Sequence, residues 1–277
     1  MTLCALNGEI MPLADAHISP MDRGFLFGDG VYEVLACVDG QVRARSLHEK
    51  RLAQSLAMIQ LDVDIAAIFA DLDALQAASG LKDAKLYVQV TRGAAPVRDH
   101  AFPTNIQPTV FLSISPFTAK RMEPAAAIVR EDIRWRRNAI KSVSLLANVL
   151  LMQEARAAGA AEVILHLDGW VTEASTSNVF FLKDGVLSTP PLSNAILPGI
   201  TRHLVLELAE AQGLDVQERP LAVGELAAAD SLFVSSSTRG LMPIASIDPG
   251  GTLRADAPQT DFSQLATAYD ALLHEHQ

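Results

Sequence analysis

Cysteine is scarce: only Cys4 and Cys37 occur in 277 residues, and they are too far apart to form a CxxC motif. That scarcity argues against a disulfide scaffold or a zinc site and suits reduced thiols in the cytoplasm. Long apolar runs are also missing, since no segment approaches the roughly 18 consecutive apolar residues of a membrane helix. The opening residues, Met1-Thr2-Leu3-Cys4-Ala5-Leu6-Asn7-Gly8, carry neither a basic stretch nor a long apolar core, so no secretory signal is expected there. Positive charge is in short supply, with 22 Lys and Arg against 32 Asp and Glu and a formal charge of -10. This balance disfavours nucleic acid and anionic membrane as partners, although a local basic pocket can still take a small anion. No internal repeat or low-complexity tract is present. What remains is a globular composition in a chain long enough for two modest domains, each with its own core.

The order of elements points to an α+β fold. Residues 30–38 alternate and are rich in Val, Tyr and Leu, as a strand requires. Asp39-Gly40 makes a hairpin turn, and 41–45 return as a short strand. Ser46, with Glu49 three positions on, predicts a capping box for a helix starting near Leu47, whose core face is Leu52, Leu56, Ile59 and Met58. A second amphipathic helix runs over 64–78 and stops at Ser79-Gly80. Segments 85–92 and 109–115 read as strands around a long loop. Pro116 then closes a first domain over 1–117, with 118–121 as linker and 122–277 as a second domain. In the second domain, 126–130, 163–167, 179–182, 185–188 and 231–235 read as strands. Helices are expected just after Lys141, over 201–212 and over 260–274. This is not the plain βαβα alternation of a doubly wound sheet.

Two segments carry chemistry. Lys141 is one of six lysines, and Val143, Leu145, Leu146, Val149, Leu150 and Leu151 follow it with no carboxylate before Glu154. Apolar surroundings disfavour an ammonium, and a neutral amine is a nucleophile toward carbonyls, able to form a Schiff base. The other reading is a lysine near a helix start that carries its head to water. In the second segment, Glu173 precedes the hydroxyl run Ser175-Thr176-Ser177 and the apolar run Val179-Phe180-Phe181. A pyridoxal ring needs such a carboxylate at its nitrogen, yet a surface glutamate in a turn would look the same.

Together these segments closely resemble the class IV aminotransferases, the fold type IV family of D-amino acid, branched-chain and (R)-amine transaminases and aminodeoxychorismate lyase. The resemblance runs almost from end to end. Asp22-Arg23-Gly24-Phe25-Leu26-Phe27-Gly28-Asp29-Gly30-Val31-Tyr32-Glu33 is similar to the family's N-terminal signature. His48-Glu49-Lys50-Arg51-Leu52 resembles the segment whose arginine reaches the cofactor phosphate. Leu197-Pro198-Gly199-Ile200-Thr201-Arg202 resembles the turn that opens a helix under that phosphate.

The resemblance implies two α+β domains with pyridoxal 5'-phosphate in the cleft between them, bound mainly by the C-terminal one. Lys141 would hold the cofactor as a Schiff base and shuttle the proton, and Glu173 would pair with the ring nitrogen. Arg51, Gly199, Ile200, Thr201, Ser237 and Thr238 would hold the phosphate. Arg98-Asp99-His100 resembles the element with which D-amino acid transaminases grip the substrate α-carboxylate, and Tyr32 resembles the tyrosine that completes the grip. In the family this loop serves the neighbouring subunit's site, which implies a homodimer. Asp99, between the two binding residues, and Val97, which lengthens the loop, depart from the family pattern. The expected reaction moves the amino group of a D-amino acid such as D-alanine to a 2-oxo acid such as 2-oxoglutarate. Aminodeoxychorismate lyase and branched-chain or (R)-amine transaminases are the alternatives on the same scaffold.

Overall fold

The computed structural model describes residues 2–119, 121–248, 251–252 and 260–274. The chain divides into two compact units, one from the first 119 residues with Ile140–Ser144, the other from 120–139 with the chain after 144.

The first unit comprises β1 (Leu3–Leu6), β2 (Glu9–Pro12), α1 (Arg23–Phe27), β3 (Gly30–Val38), β4 (Gln41–Val42), α2 (Arg45–Met58), α3 (Ile65–Ser79), β5 (Ala84–Thr91) and β6 (Thr109–Pro116). Its six strands pair antiparallel throughout, in the order β2-β1-β6-β5-β3-β4. Leu35, Leu86 and Leu112 from the sheet pack with Leu52 and Leu56 of α2 and Phe69, Leu72 and Leu75 of α3 into one core. α3 has the ends its sequence calls for. Asp64 accepts a hydrogen bond from the Ala67 N–H, and Gly80 takes the left-handed conformation that closes the last turn. α2 starts differently from expectation. Ala44 at its N-cap is left-handed, Arg45 is already helical, and no side chain caps it. Ser46 therefore lies inside the first turn, and Glu49 bonds Arg45 Nε at 2.8 Å instead of closing a capping box. Met58, expected on the core face, is exposed.

The second unit comprises β7 (Ala125–Glu131), α4 (Leu146–Ala157), β8 (Glu162–Leu167), β9 (Trp170–Ala174), β10 (Asn178–Lys183), β11 (Val186–Thr189), α5 (Ile200–Ala211), β12 (Asp215–Glu218), β13 (Ser231–Ser236), β14 (Gly240–Ile247), β15 (Gly251–Thr252) and α6 (Thr260–His274). These nine strands form a mixed sheet in the order β12-β11-β10-β13-β14-β7-β8-β9, with β15 on β14. Phe180 and Phe233 stack across β10 and β13 with centroids 4.9 Å apart, and Phe262 of α6 packs against Phe233. Val205 and Ala209 of α5 and Leu265 of α6 complete that face. Leu151 and Ala155 of α4 cover Ile128, Val163 and Leu165 in a separate cluster. β9, β12, β14 and β15 were not foreseen. β9 matters most, because it makes Glu173 a buried strand residue rather than part of a turn.

Candidate active site

Lys141 is held in the first unit by a short extended segment laid against β3. Tyr32 donates its N–H to the Lys141 carbonyl at 2.9 Å, Val143 donates to the Gly30 carbonyl at 3.0 Å, and Val31 bridges Ser142. The Lys141 N–H in turn donates to Ser55 Oγ on α2 at 3.3 Å. The backbone is thus fixed on both sides of a side chain whose Nζ lies 4.3 Å from the Tyr32 ring centroid. Gly28 permits the close approach: its φ is +67°, and a Cβ there would meet Ser144 Oγ at 2.3 Å. The helix expected just after Lys141 begins only at Leu146. Leu146, Val149 and Leu150 are exposed on it, so the apolar run does not dry the amine. Strand pairing and the Tyr32 ring seat Lys141 instead.

Glu33, the next residue along β3, is fully buried. It accepts Nε and Nη2 of Arg51 and is joined by Nδ1 of His48, each at 2.7 Å. Burial pushes the Glu33 carboxyl up, but Arg51 and then His48 outweigh it and bring it down to about 2. Burial pushes the His48 imidazole below its usual value; Glu33 opposes this, while the positive charges of Arg51 and Lys141 reinforce it. Arg51 therefore has its planar fork oriented by a buried carboxylate.

In the second unit Glu173 is buried on β9 and accepts three hydrogen bonds. Arg134 Nη1 donates to Oε1 at 2.6 Å, and Asn178 Nδ2 and the Leu197 N–H both donate to Oε2 at 3.1 Å. Asp132 grips the same arginine through Nε at 2.9 Å and Nη2 at 2.7 Å, and the Thr172 hydroxyl donates to Asp132 at 2.9 Å. One guanidinium thus serves two buried carboxylates. Burial pushes Asp132 up, but its bonds from Arg134 outweigh this and hold it low. At Glu173 burial dominates, with Arg134 opposing it, and the carboxyl is pushed up to about 7. The main cause is the loss of hydration at a buried carboxylate; Arg134, shared with Asp132, offsets it only in part, and the charge of Asp132 adds a smaller push in the same direction.

Gly199 closes on this cluster. A Cβ there would lie 1.9 Å from Asn178 Oδ1, so only glycine lets the chain entering α5 approach. Asn178 Nδ2 also donates to the Leu197 carbonyl at 3.0 Å. No side chain caps α5, which leaves the Ile200 and Thr201 N–H groups for an anion. The Thr201 hydroxyl is buried, 3.5 Å from the Tyr269 hydroxyl. Ser237 and Thr238 sit in the turn after β13, and β13 sets Ser235 opposite Asn178, so this turn leaves the sheet at the Asn178 end. The hydroxyls of Ser175, Thr176 and Ser177 face the buried Glu162, which also binds Arg239.

Arg98 and His100 lie exposed on the loop between β5 and β6 and share one ring. The Arg98 guanidinium carbon is 4.7 Å from the Phe27 centroid, and the His100 ring is 5.3 Å from it. Sequence reasoning missed Glu33, Arg134, Asp132 and Asn178. Asp132 and Arg134 did leave a signal: two positions apart just past a strand, they fall on one face.

A pyridoxal group fits these residues. Glu173 accepts three hydrogen bonds of the roughly four its carboxylate can take, and its cluster lacks one positive charge, which a protonated ring nitrogen would supply. Among the described residues no three His, Cys, Asp or Glu are grouped to hold a metal ion.

The first unit thus seats a lysine, and the second carries a buried carboxylate cluster and an uncapped helix N-terminus. Residues 30–247 match the amino-transferase class IV family, to which the chain belongs. A D-alanine aminotransferase of Bacillus licheniformis is 39% identical over 267 residues, 95% of this chain and 94% of the relative. The branched-chain amino acid aminotransferase of Escherichia coli superposes with a TM-score of 0.89 at 25% identity, covering 98% of this chain and 94% of that one. A fold IV transaminase of Curtobacterium pusillum superposes at 0.85 and 25% identity over the full length of both chains. The expected fold class, type IV α+β, is therefore the fold observed.

Proposed function

We propose that this aminotransferase moves the amino group of a D-amino acid, D-alanine foremost, to a 2-oxo acid such as 2-oxoglutarate, with pyridoxal 5'-phosphate as cofactor. The observation that carries the substrate class is the placing of Arg98 and His100 on one aromatic ring. A guanidinium and an imidazole anchored on the same ring offer two donors suited to the oxygens of an α-carboxylate. The name of the Bacillus licheniformis relative agrees.

The cofactor, when bound, supplies an electron sink for the pair left on the substrate α-carbon. Lys141 would hold it through Nζ, and the same Nζ would carry the proton from that carbon. Glu173 keeps the ring nitrogen protonated, and Arg134 and Asn178 orient Glu173. Arg51, the N–H groups of Ile200 and Thr201 beside Gly199, and the hydroxyls of Ser237 and Thr238 hold the phosphate. Tyr32, Arg98 and His100 bind the substrate carboxylate. In a homodimer the loop of one subunit serves its neighbour's site. No helix among the described residues is long and apolar enough to cross a membrane, and the buried free thiols of Cys4 and Cys37 suit a cytoplasmic enzyme.

The deciding assay sets D-alanine with 2-oxoglutarate beside L-leucine with 2-oxoglutarate and beside aminodeoxychorismate alone. Formation of pyruvate and D-glutamate in the first mixture supports the reading. Turnover confined to the second, or pyruvate released only from the third, overturns it.

A further inference from the structure

We propose that Arg23 is the positioning residue that sets the carboxylate-binding loop, and that the turn from Asp22 to Asp29 is the mount on which that loop is built. The proposal rests on the reading of Arg98 and His100 as carboxylate ligands. Arg23 is 4% exposed and belongs to no step of the chemistry above. Its Nε donates to Asp29 at 2.8 Å. Its Nη1 donates to the carbonyls of Asp99 at 2.5 Å and Ala101 at 3.3 Å, and its Nη2 to that of His100 at 3.3 Å. One guanidinium thereby holds three successive carbonyls, those that directly follow Arg98. Contacts to carbonyls fix a backbone path whatever the side chains are. Water would satisfy the same groups on an exposed loop, so the fold itself does not require a buried arginine there.

The rest of the turn serves the same loop. Asp22 is buried and accepts the hydroxyls of Thr91 at 2.9 Å and Thr109 at 2.7 Å, the two residues paired where β5 and β6 part. Asp29 also takes Arg92, through Nε at 2.8 Å and Nη2 at 3.1 Å, and the Arg92 guanidinium lies 3.7 Å from the Phe102 ring centroid. Phe27, at the end of α1, carries Arg98 and His100 on its ring. The base of the loop, its backbone and its two ligands are all gripped from this turn. Ligands on a mobile loop bind only as well as their support holds them, and here the support is a rigid polar turn.

The test uses the cofactor-loaded enzyme. Arg23→Gln should raise KM for D-alanine about tenfold, the scale of one lost charge-assisted contact, with kcat falling less. Trypsin should cut after Arg98 about tenfold faster than in the wild type, because a released loop opens at little free-energy cost. Arg23→Lys, which keeps the charge without the fork, should fall between the two. If Arg23→Gln does not fold, Phe27→Leu leaves the Arg23 hydrogen bonds in place, removes the ring that Arg23, Arg98 and His100 share, and should still raise KM about threefold, as loss of a cation–π contact implies. The proposal is overturned if the folded variants keep wild-type KM and wild-type cleavage after Arg98 while Arg98→Ala raises KM. If Arg98→Ala itself leaves KM unchanged, the carboxylate reading fails, and this proposal fails with it.

Discussion

Arg51 and Glu33 are joined by two parallel hydrogen bonds of 2.7 Å, Nε to Oε1 and Nη2 to Oε2, with both side chains buried. This geometry makes Glu33 the support of a residue assigned to the phosphate, and it makes acid stability depend on the pair. Glu33 ionises at about 2 in the folded protein against an ordinary 4.5, so its contribution is complete above 4.5 and is lost as pH falls toward about 2. A shift of that size corresponds to roughly 3 kcal/mol. His48 acts in the same direction higher up: its folded value lies below the ordinary 6.5, so acid below that value favours the unfolded chain. Glu33→Gln should cost about 3–5 kcal/mol at neutral pH, because it leaves a buried guanidinium without its counter-ion. Denaturant curves at descending pH should show the gap to wild type closing below 4.5. A gap that stays constant there would mean the pair is not what holds Glu33 ionised.

The pattern of apolar residues made most of the fold legible. β3 and α6 run over the expected residues, and α3, β5, β6, β10, β13 and α5 fall within a residue or two of them, because each has its own period and a turn residue at its end. Three things were not local. β9 is short and holds Thr172 and Glu173 in its middle, so its polarity hid it. The start of α2 rests on a left-handed Ala44, which nothing in the residue type announces. Lys141 was expected at the edge of a helix because an apolar run follows it, yet its neighbours come from β3 and α2, far away in sequence. The charged partners Glu33 and Arg134 stayed hidden for the same reason, since a buried ion pair is written in two distant places at once.

Glu173 gives a pH dependence of opposite sign. Its folded value of about 7 lies above the ordinary 4.5, so the protonated acid favours the fold. That contribution is full below 4.5 and is lost as pH rises through about 7. In cofactor-free protein, Glu173→Gln should therefore gain on wild type between those values, by on the order of 3 kcal/mol. Loading pyridoxal phosphate should flatten the wild-type curve, because a cation then faces the carboxylate. The same substitution should slow D-alanine turnover by about 10²–10³, the scale of one misplaced catalytic donor. Parallel stability curves for the two cofactor-free proteins would show that the proton is not on Glu173, and near wild-type turnover would remove it as the ring-nitrogen partner.

Lys141 should separate chemistry from stability more cleanly than any other residue here. Its N–H bonds Ser55 and its carbonyl accepts from Tyr32, and both contacts survive when the side chain is cut to a methyl group. The side chain itself contributes chiefly the contact with the Tyr32 ring, so Lys141→Ala should change unfolding stability by no more than about 1 kcal/mol. Turnover should nevertheless vanish, because covalent attachment of the cofactor and movement of the α-proton depend on one amine. Some cofactor should still bind through the phosphate contacts. Borohydride treatment of the loaded wild type should fix the cofactor irreversibly, and peptide mapping should place it on Lys141. Lys50, Lys82 and Lys85 are exposed and offer the control, since a reagent that merely labels accessible amines would mark them first. An adduct found on any of those three but absent from Lys141, or a Lys141→Ala enzyme that still turns over D-alanine, would remove Lys141 from the mechanism.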